Sequence, residues 1–203
     1  RLTQGELVAT EALNIDGSTA GGAVVITGDA NNDDITIAGT DITDVAASFG
    51  GTAGAVDDLL DDNSRVLNIT ATTGTSTLTG LTITGGRTTG GNIGVSDYSQ
   101  SGGGIRSLGD TILTNSTVSG NSTAGDGADG GGVFSFGATT LTNSTLSGNS
   151  TAGNYADGGG VSSRGTTTLT NSTVSGNSTA GDGADGGGVY SLGATTLTNS
   201  TVS

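Results

Sequence analysis

The sequence predicts an all-β chain wound as a parallel β-solenoid of about 28 residues per coil. Three observations predict it. A 28-residue unit recurs as Thr111–Ala138, Thr139–Thr166 and Thr167–Ala194, and the first and third copies differ at only three positions. Leu and β-branched residues hold fixed places in every copy and show no 3.6-residue period. The chain has 40 Gly, no Pro and 3% aromatic residues, which is too little bulk for an ordinary globular core, yet 31% of it is hydrophobic. A slim core of small aliphatic side chains stacked on their own copies accounts for all three.

The whole chain, 1–203, reads as one domain. Residues 1–63 form irregular coils, with strand candidates at Glu6–Ile15, Ala23–Thr27 and Asp34–Gly39, and a single helical turn in "AVDDLLDD". Residues 64–110 form diverged coils, among them a unit from Ser76 to Asp110 that carries a seven-residue insertion around "GGNIGVSDYSQ". Residues 111–203 are the regular repeats, the last one incomplete. Each regular unit reads as three strands, "GGGVFSFG", "TTLTN" and "STVSGN", with "STAGDGAD" as a loop. Each strand then pairs with its copy about 4.8 Å away in the next coil.

Differences between copies predict which way side chains point, because direction alternates along a strand. The column Ile105, Val133, Val161, Val189 is always apolar, and Ser107, Ser135, Ser163, Ser191 is constant, so both face inward. The intervening columns vary freely. They are Arg106, Phe134, Ser162, Tyr190 and Leu108, Phe136, Arg164, Leu192, and they are expected to face out. Leu78, Leu113, Leu141, Leu169, Leu197 and Ile83, Val118, Leu146, Val174, Val202 form two further inner stacks. Two Asn columns, Asn115, Asn143, Asn171, Asn199 and Asn121, Asn149, Asn177, are suited to amide ladders. Every one of these Asn also opens an N-S-T glycosylation sequon, and a ladder is the reading preferred here. Gly120, Gly148 and Gly176 provide a sharp corner.

The net charge of -14, from 17 Asp, 2 Glu and 5 Arg, argues against nucleic acid and anionic membranes as partners and favours divalent cations. No apolar run approaches the roughly 20 residues that span a bilayer. There is no Cys, hence no disulfide, which suits export in an unfolded state. His and Lys are also absent, which removes most acid/base, nucleophile and zinc-site designs. The remaining acids sit in copied loops, one set per coil, and make no single irregular constellation, so no enzymatic activity is expected.

Two readings of those loops stand side by side. Asp126, Asp129, Asp157, Asp182 and Asp185, with Asn154, would stack in register and could share calcium ions through oxygen ligands. Alternatively, the Gly-rich loops splay the acids into solvent. Asp29, Asn31 and Asp33 in "GDANNDD" make a weaker calcium candidate, half of a calcium-loop pattern. The outward residues Arg106, Leu108, Phe134, Phe136, Arg164, Tyr190 and Leu192 either form a contact strip for another solenoid or for a glycan, with Arg164 stacked on Phe136, or are tolerated surface residues under the loops. The repeated T-L-T of Thr140/Thr142 and Thr168/Thr170 also admits an ice-binding reading.

The segments "GELVATEALNIDG", "NSRVLNIT", "STLTGLTITGG" and the repeated "LTNSTVSGNS…GGGV" resemble bacterial right-handed parallel β-helix repeat proteins. They are similar to cell-surface or secreted chains whose helix follows a Cys-Ser-Leu-Arg-Glu-Ala segment, and to polymorphic outer-membrane protein repeats. The Cys-containing segment is missing here. The resemblance implies a right-handed parallel β-helix, an extracellular or cell-surface location, and a structural or adhesive role. The alternative it implies is a carbohydrate-binding or carbohydrate-active β-helix, lyase-like or hydrolase-like. The final unit stops mid-coil at "TTLTNSTVS", which leads to the expectation of a longer chain or of copies stacked end to end as a filament.

Overall fold

A computed structural model describes residues 2–3, 6–19, 24–27, 65–89 and 98–203. The chain is an all-β parallel solenoid, and its strands line up in four sheets, three long and one short, along the coil stack. The first sheet carries Glu6–Ala9, Leu67–Ile69, Ile105–Ser107, Val133–Ser135, Val161–Ser163 and Val189–Ser191. Leu2–Thr3 joins its edge antiparallel to Glu6–Ala9; every other pairing is parallel. The second sheet runs from Asn14–Asp16 through Thr139–Thr142 to Thr195–Thr198, and the third from Val24–Thr27 through Thr145–Ser147 to Thr201–Val202. Four two-residue strands, Arg87–Thr88, Ser122–Thr123, Ser150–Thr151 and Ser178–Thr179, make the fourth.

The 28-residue spacing appears directly as register: Val133 pairs with Val161, Leu141 with Leu169, and Leu146 with Val174. The expected inner stacks are therefore real as far as Leu169 and Val174, and they extend toward the N-terminus through Leu67, Ile15 and Ile26; Leu197 and Val202 keep the register but are exposed. Leu78, Ile83, Ile105, Leu113, Val118, Val133, Leu141, Leu146, Val161, Leu169 and Val174 are fully buried. Each stacks on its copy, so Leu and Val supply the core area that aromatics supply elsewhere. The inward serines are satisfied by the neighbouring coil. Ser135, Ser163 and Ser191 donate from Oγ to the carbonyls of Gly109, Gly137 and Gly165 at 2.9, 2.9 and 3.0 Å.

Three expectations change. "STAGDGAD" is not wholly loop, because its first two residues pair coil to coil as the fourth sheet. A two-residue strand lacks the length for a visible alternation. Glu6–Ile15 is two strands, bent at Thr10–Glu11, since Leu7 pairs in the first sheet and Ile15 in the second. The two Asn columns also differ in kind. Asn121 and Asn149 are fully buried, whereas Asn115, Asn143, Asn171 and Asn199 are exposed at a corner with φ of 50°. Gly80, with φ of 69°, holds the same corner in the diverged coil, so Asn stands where the left-handed backbone excludes most residues. Strand Asp34–Gly39, the helical turn in "AVDDLLDD" and residue Ala23 lie outside the described residues.

The buried ladder ties three coils at each step. Asn149 Nδ2 donates to the Val118 carbonyl at 2.9 Å and to Asn177 Oδ1 at 2.9 Å, while its own Oδ1 accepts both Nδ2 and the backbone N–H of Asn121 at 3.0 Å. The exposed ladder is simpler and runs the other way: Asn143 Nδ2 donates to Asn115 Oδ1 at 3.2 Å. Both columns use their amides for stacking, which supports the ladder reading over the sequon reading. Asn149→Ala strands several buried partners at once and should cost about 3 kcal/mol or more, against about 1 kcal/mol for Asn143→Ala. Urea unfolding of the two variants measures the gap; equal losses would contradict the distinction between the columns.

Candidate functional site

From Thr88 to Ile105 the chain spends seventeen residues on a connection that takes ten from Thr123 to Val133. The seven-residue insertion therefore lies between the fourth sheet and the first. Its described end, Tyr98–Gln100, is a turn of 3-10 helix held from three sides. The buried Arg65 donates to the carbonyls of Gly102 and Ser101, both at 3.0 Å, and to that of Ser99. Arg106 Nε donates to the Tyr98 carbonyl at 2.8 Å, and Thr88 Oγ1 to the Gln100 carbonyl at 2.5 Å.

So anchored, Tyr98 roofs the outer face of the first sheet. Its ring stacks on Phe134 at 5.4 Å and 18°, and meets Phe136 edge-on at 5.2 Å. Phe134 and Phe136 are perpendicular at 5.2 Å. The Arg164 guanidinium lies 4.4 Å over the Tyr98 ring and 5.9 Å from that of Phe134, and its Nη2 donates to Asp129 Oδ2 at 2.9 Å. This cluster joins a cation–π contact to a partly buried ion pair.

The expected contact strip is thereby split. Phe134 points away from the core as read, but the roof buries it completely, so it offers no contact surface. Arg164 stacks on Tyr98, not on Phe136. Arg106, Leu108 and Tyr190 are half-buried, and Phe136 (40%) and Leu192 (58%) remain exposed. Tyr98 escaped the sequence reading because comparison of copies is blind to an insertion without a counterpart.

The acidic loops serve the backbone of the next coil. Asp126 Oδ1 accepts the Asn154 N–H at 2.7 Å, and Asn154 Oδ1 that of Asp182 at 3.0 Å. Asp129 Oδ1 accepts the Asp157 N–H at 2.8 Å, and Asp157 Oδ1 that of Asp185 at 2.7 Å. The acids are thus neither splayed nor pooled: they stitch loop to loop. Among the described residues no three acidic side chains converge as a metal group. Asp29, Asn31 and Asp33 lie outside those residues. Burial pushes the Asp129 carboxyl up to about 6, against the opposing pull of the Asp157 N–H and the Arg164 charge. Burial also raises Asp157, which sits beside Asp185 and takes a hydrogen bond from Tyr190, and raises the Tyr190 hydroxyl.

One further residue breaks the repeat. Tyr155 occupies the place of Gly127 and Gly183 and shares their left-handed backbone, with φ of 55° against 67° and 68°. It is 61% exposed. The mismatch of a Tyr among Gly copies was visible in the sequence, but its backbone cost was not. Thr140, Thr142, Thr168 and Thr170 stand half-buried in register on the outer face of the second sheet.

No family model matches the sequence, and no curated protein or solved structure shows significant similarity to it. No described helix is long and apolar enough to cross a membrane. The fold class stands on the register alone.

Asp129 gives the stability a pH signature. Its folded value, about 6, lies above its ordinary 3.8, so between these pH values the folded chain keeps a proton the unfolded chain has lost. Its contribution, on the order of 3 kcal/mol, is present below pH 4 and lost as pH rises through 6. Asp157 acts in the same direction. The urea midpoint should fall between pH 4 and 7, and Asp129→Asn should flatten that fall; a variant with the wild-type slope would refute the assignment.

Proposed function

We propose that this chain is a structural, adhesive solenoid that works outside the cell as a rigid spacer and associates laterally through the strip beside its first sheet. The observation that carries the reading is the placement of Phe136 and Leu192. They are exposed apolar side chains two coils apart in the same column, on a body whose other outer columns are mostly Thr and Ser. Phe136 packs one edge against Tyr98 and Phe134 and leaves the rest in solvent, as Leu192 does more fully, so a contact with a second surface is what they suit. The in-register ladders support the spacer role, since each coil templates the next and length follows copy number. The lack of Cys, which suits export in an unfolded state, supports an exported destination.

Sedimentation velocity across a wide concentration range tests the proposal. The wild type should self-associate, and the double variant Phe136→Ser, Leu192→Ser should stay monomeric and folded, with a melting midpoint lowered only by the loss of the Phe136 edge contacts. A wild type that remains monomeric throughout removes the lateral contact. Phe134→Ser, by contrast, should unfold the roof and lower stability by about 3 kcal/mol or more, because it empties a buried aromatic site.

A further inference from the structure

We propose that Tyr155 is the platform of a binding site for a neutral glycan, built on the loop of the middle coil. The proposal goes beyond the scaffold reading and does not depend on it.

Three observations meet at this residue. First, its backbone is costly. A Tyr at φ of 55° is disfavoured, and the copies before and after use Gly at the same place. Second, neither the core nor the Tyr98 cluster compensates, since the side chain is 61% exposed and joins neither. Third, the ring is held to one side. A Cβ built on Gly183 would lie 2.8 and 2.9 Å from Cε1 and Cδ1 of Tyr155, so the ring rests against that glycine. At Gly127, in the preceding coil, nothing lies within 4 Å of the corresponding point. The ring is backed by one coil and open over the other.

An open aromatic ring on a loop whose adjacent column, Asp126, Asn154 and Asp182, carries amide and carboxylate groups has a specific chemistry. The ring takes the C–H face of a pyranose, and the polar groups take its hydroxyls. Asn154 precedes the ring, and only its Oδ1 is engaged, by the Asp182 N–H, which leaves its amide protons for a ligand oxygen. Asp126 uses Oδ1 on the Asn154 N–H and keeps Oδ2, and Asp182 is exposed one coil further on. These acids and the net charge of -14 repel polyanions, so the glycan class selected is neutral.

Tyr155→Gly is the decisive variant, because it restores the glycine that the flanking copies have at this place and should fold. Affinity electrophoresis through starch, hydroxyethyl cellulose, galactomannan, xylan and polygalacturonate supplies the readout. The wild type should be retarded by at least one neutral polymer and not by polygalacturonate. Tyr155→Gly should weaken that retardation about tenfold or more, while its melting midpoint holds or rises. Four results would overturn the proposal: no retardation by any neutral polymer, retardation by polygalacturonate, equal retardation of the variant, or a fall in its melting midpoint, which would make the ring a structural part. Self-association through Phe136 and Leu192 should be unchanged in Tyr155→Gly, so the two readings can fail separately.

Discussion

Stacking each coil on its own copy, in register and about 4.8 Å apart, is the constraint on which everything else here depends. It turns every sequence position into a column of near-identical neighbours. A residue is admitted only if it is compatible with itself at that distance. Leu, Ile and Val pass because like packs on like. Asn and Ser pass because an amide or hydroxyl can donate to a neighbouring coil and accept from another. Carboxylates do not pass as a bare column, since like charges at this spacing repel. In the loops, Asp126, Asp129 and Asp157 each accept a backbone N–H from the next coil. The acid column is tolerable because its members bind amides, not one another.

The same constraint explains why the core was legible in the sequence. Leu113, Leu141 and Leu169 sit one unit apart with no variation, and the conserved spacing within one chain translates directly into register. Corners were legible where Gly marked them, at Gly120, Gly148 and Gly176. The corner at Asn115 and its copies was not, because Asn serves a strand-end ladder and a left-handed backbone alike, and only the dihedral separates the two. The strand at Ser122–Thr123 was missed for want of length.

The candidate site was legible only in part, for a reason of the opposite kind. Outward direction was correctly assigned to Phe134, yet direction is not exposure. Tyr98 reaches across from an insertion, and the contact that buries Phe134 joins residues with no repeat relation. Arg65, far from any copy, holds that insertion by its backbone carbonyls. Periodicity carries no information about such pairings. Asp129 shows the consequence: it is one of three equivalent acids in the repeat, but the roof and Arg164 enclose it, and burial shifts its titration.

Divergence among the copies follows the same physics. Against the third unit, the middle one changes its core only from Val174 to Leu146, an apolar swap that the stack absorbs. Its other changes, Asn154, Tyr155, Ser162, Arg164 and Thr166, fall in the loop or on the outer side of the coil. These positions make no like-on-like stack, so one coil can vary there without disturbing the next. Arg164 and Tyr155 show what that freedom permits. Arg164 closes the Tyr98 cluster and its ion pair with Asp129, which adds order to the roof. Tyr155 adds none and takes on a strained backbone that its neighbours avoid with Gly. Stacking demands neither residue. The first has a structural return within the fold, and the second meets only the glycine of the next coil, Gly183.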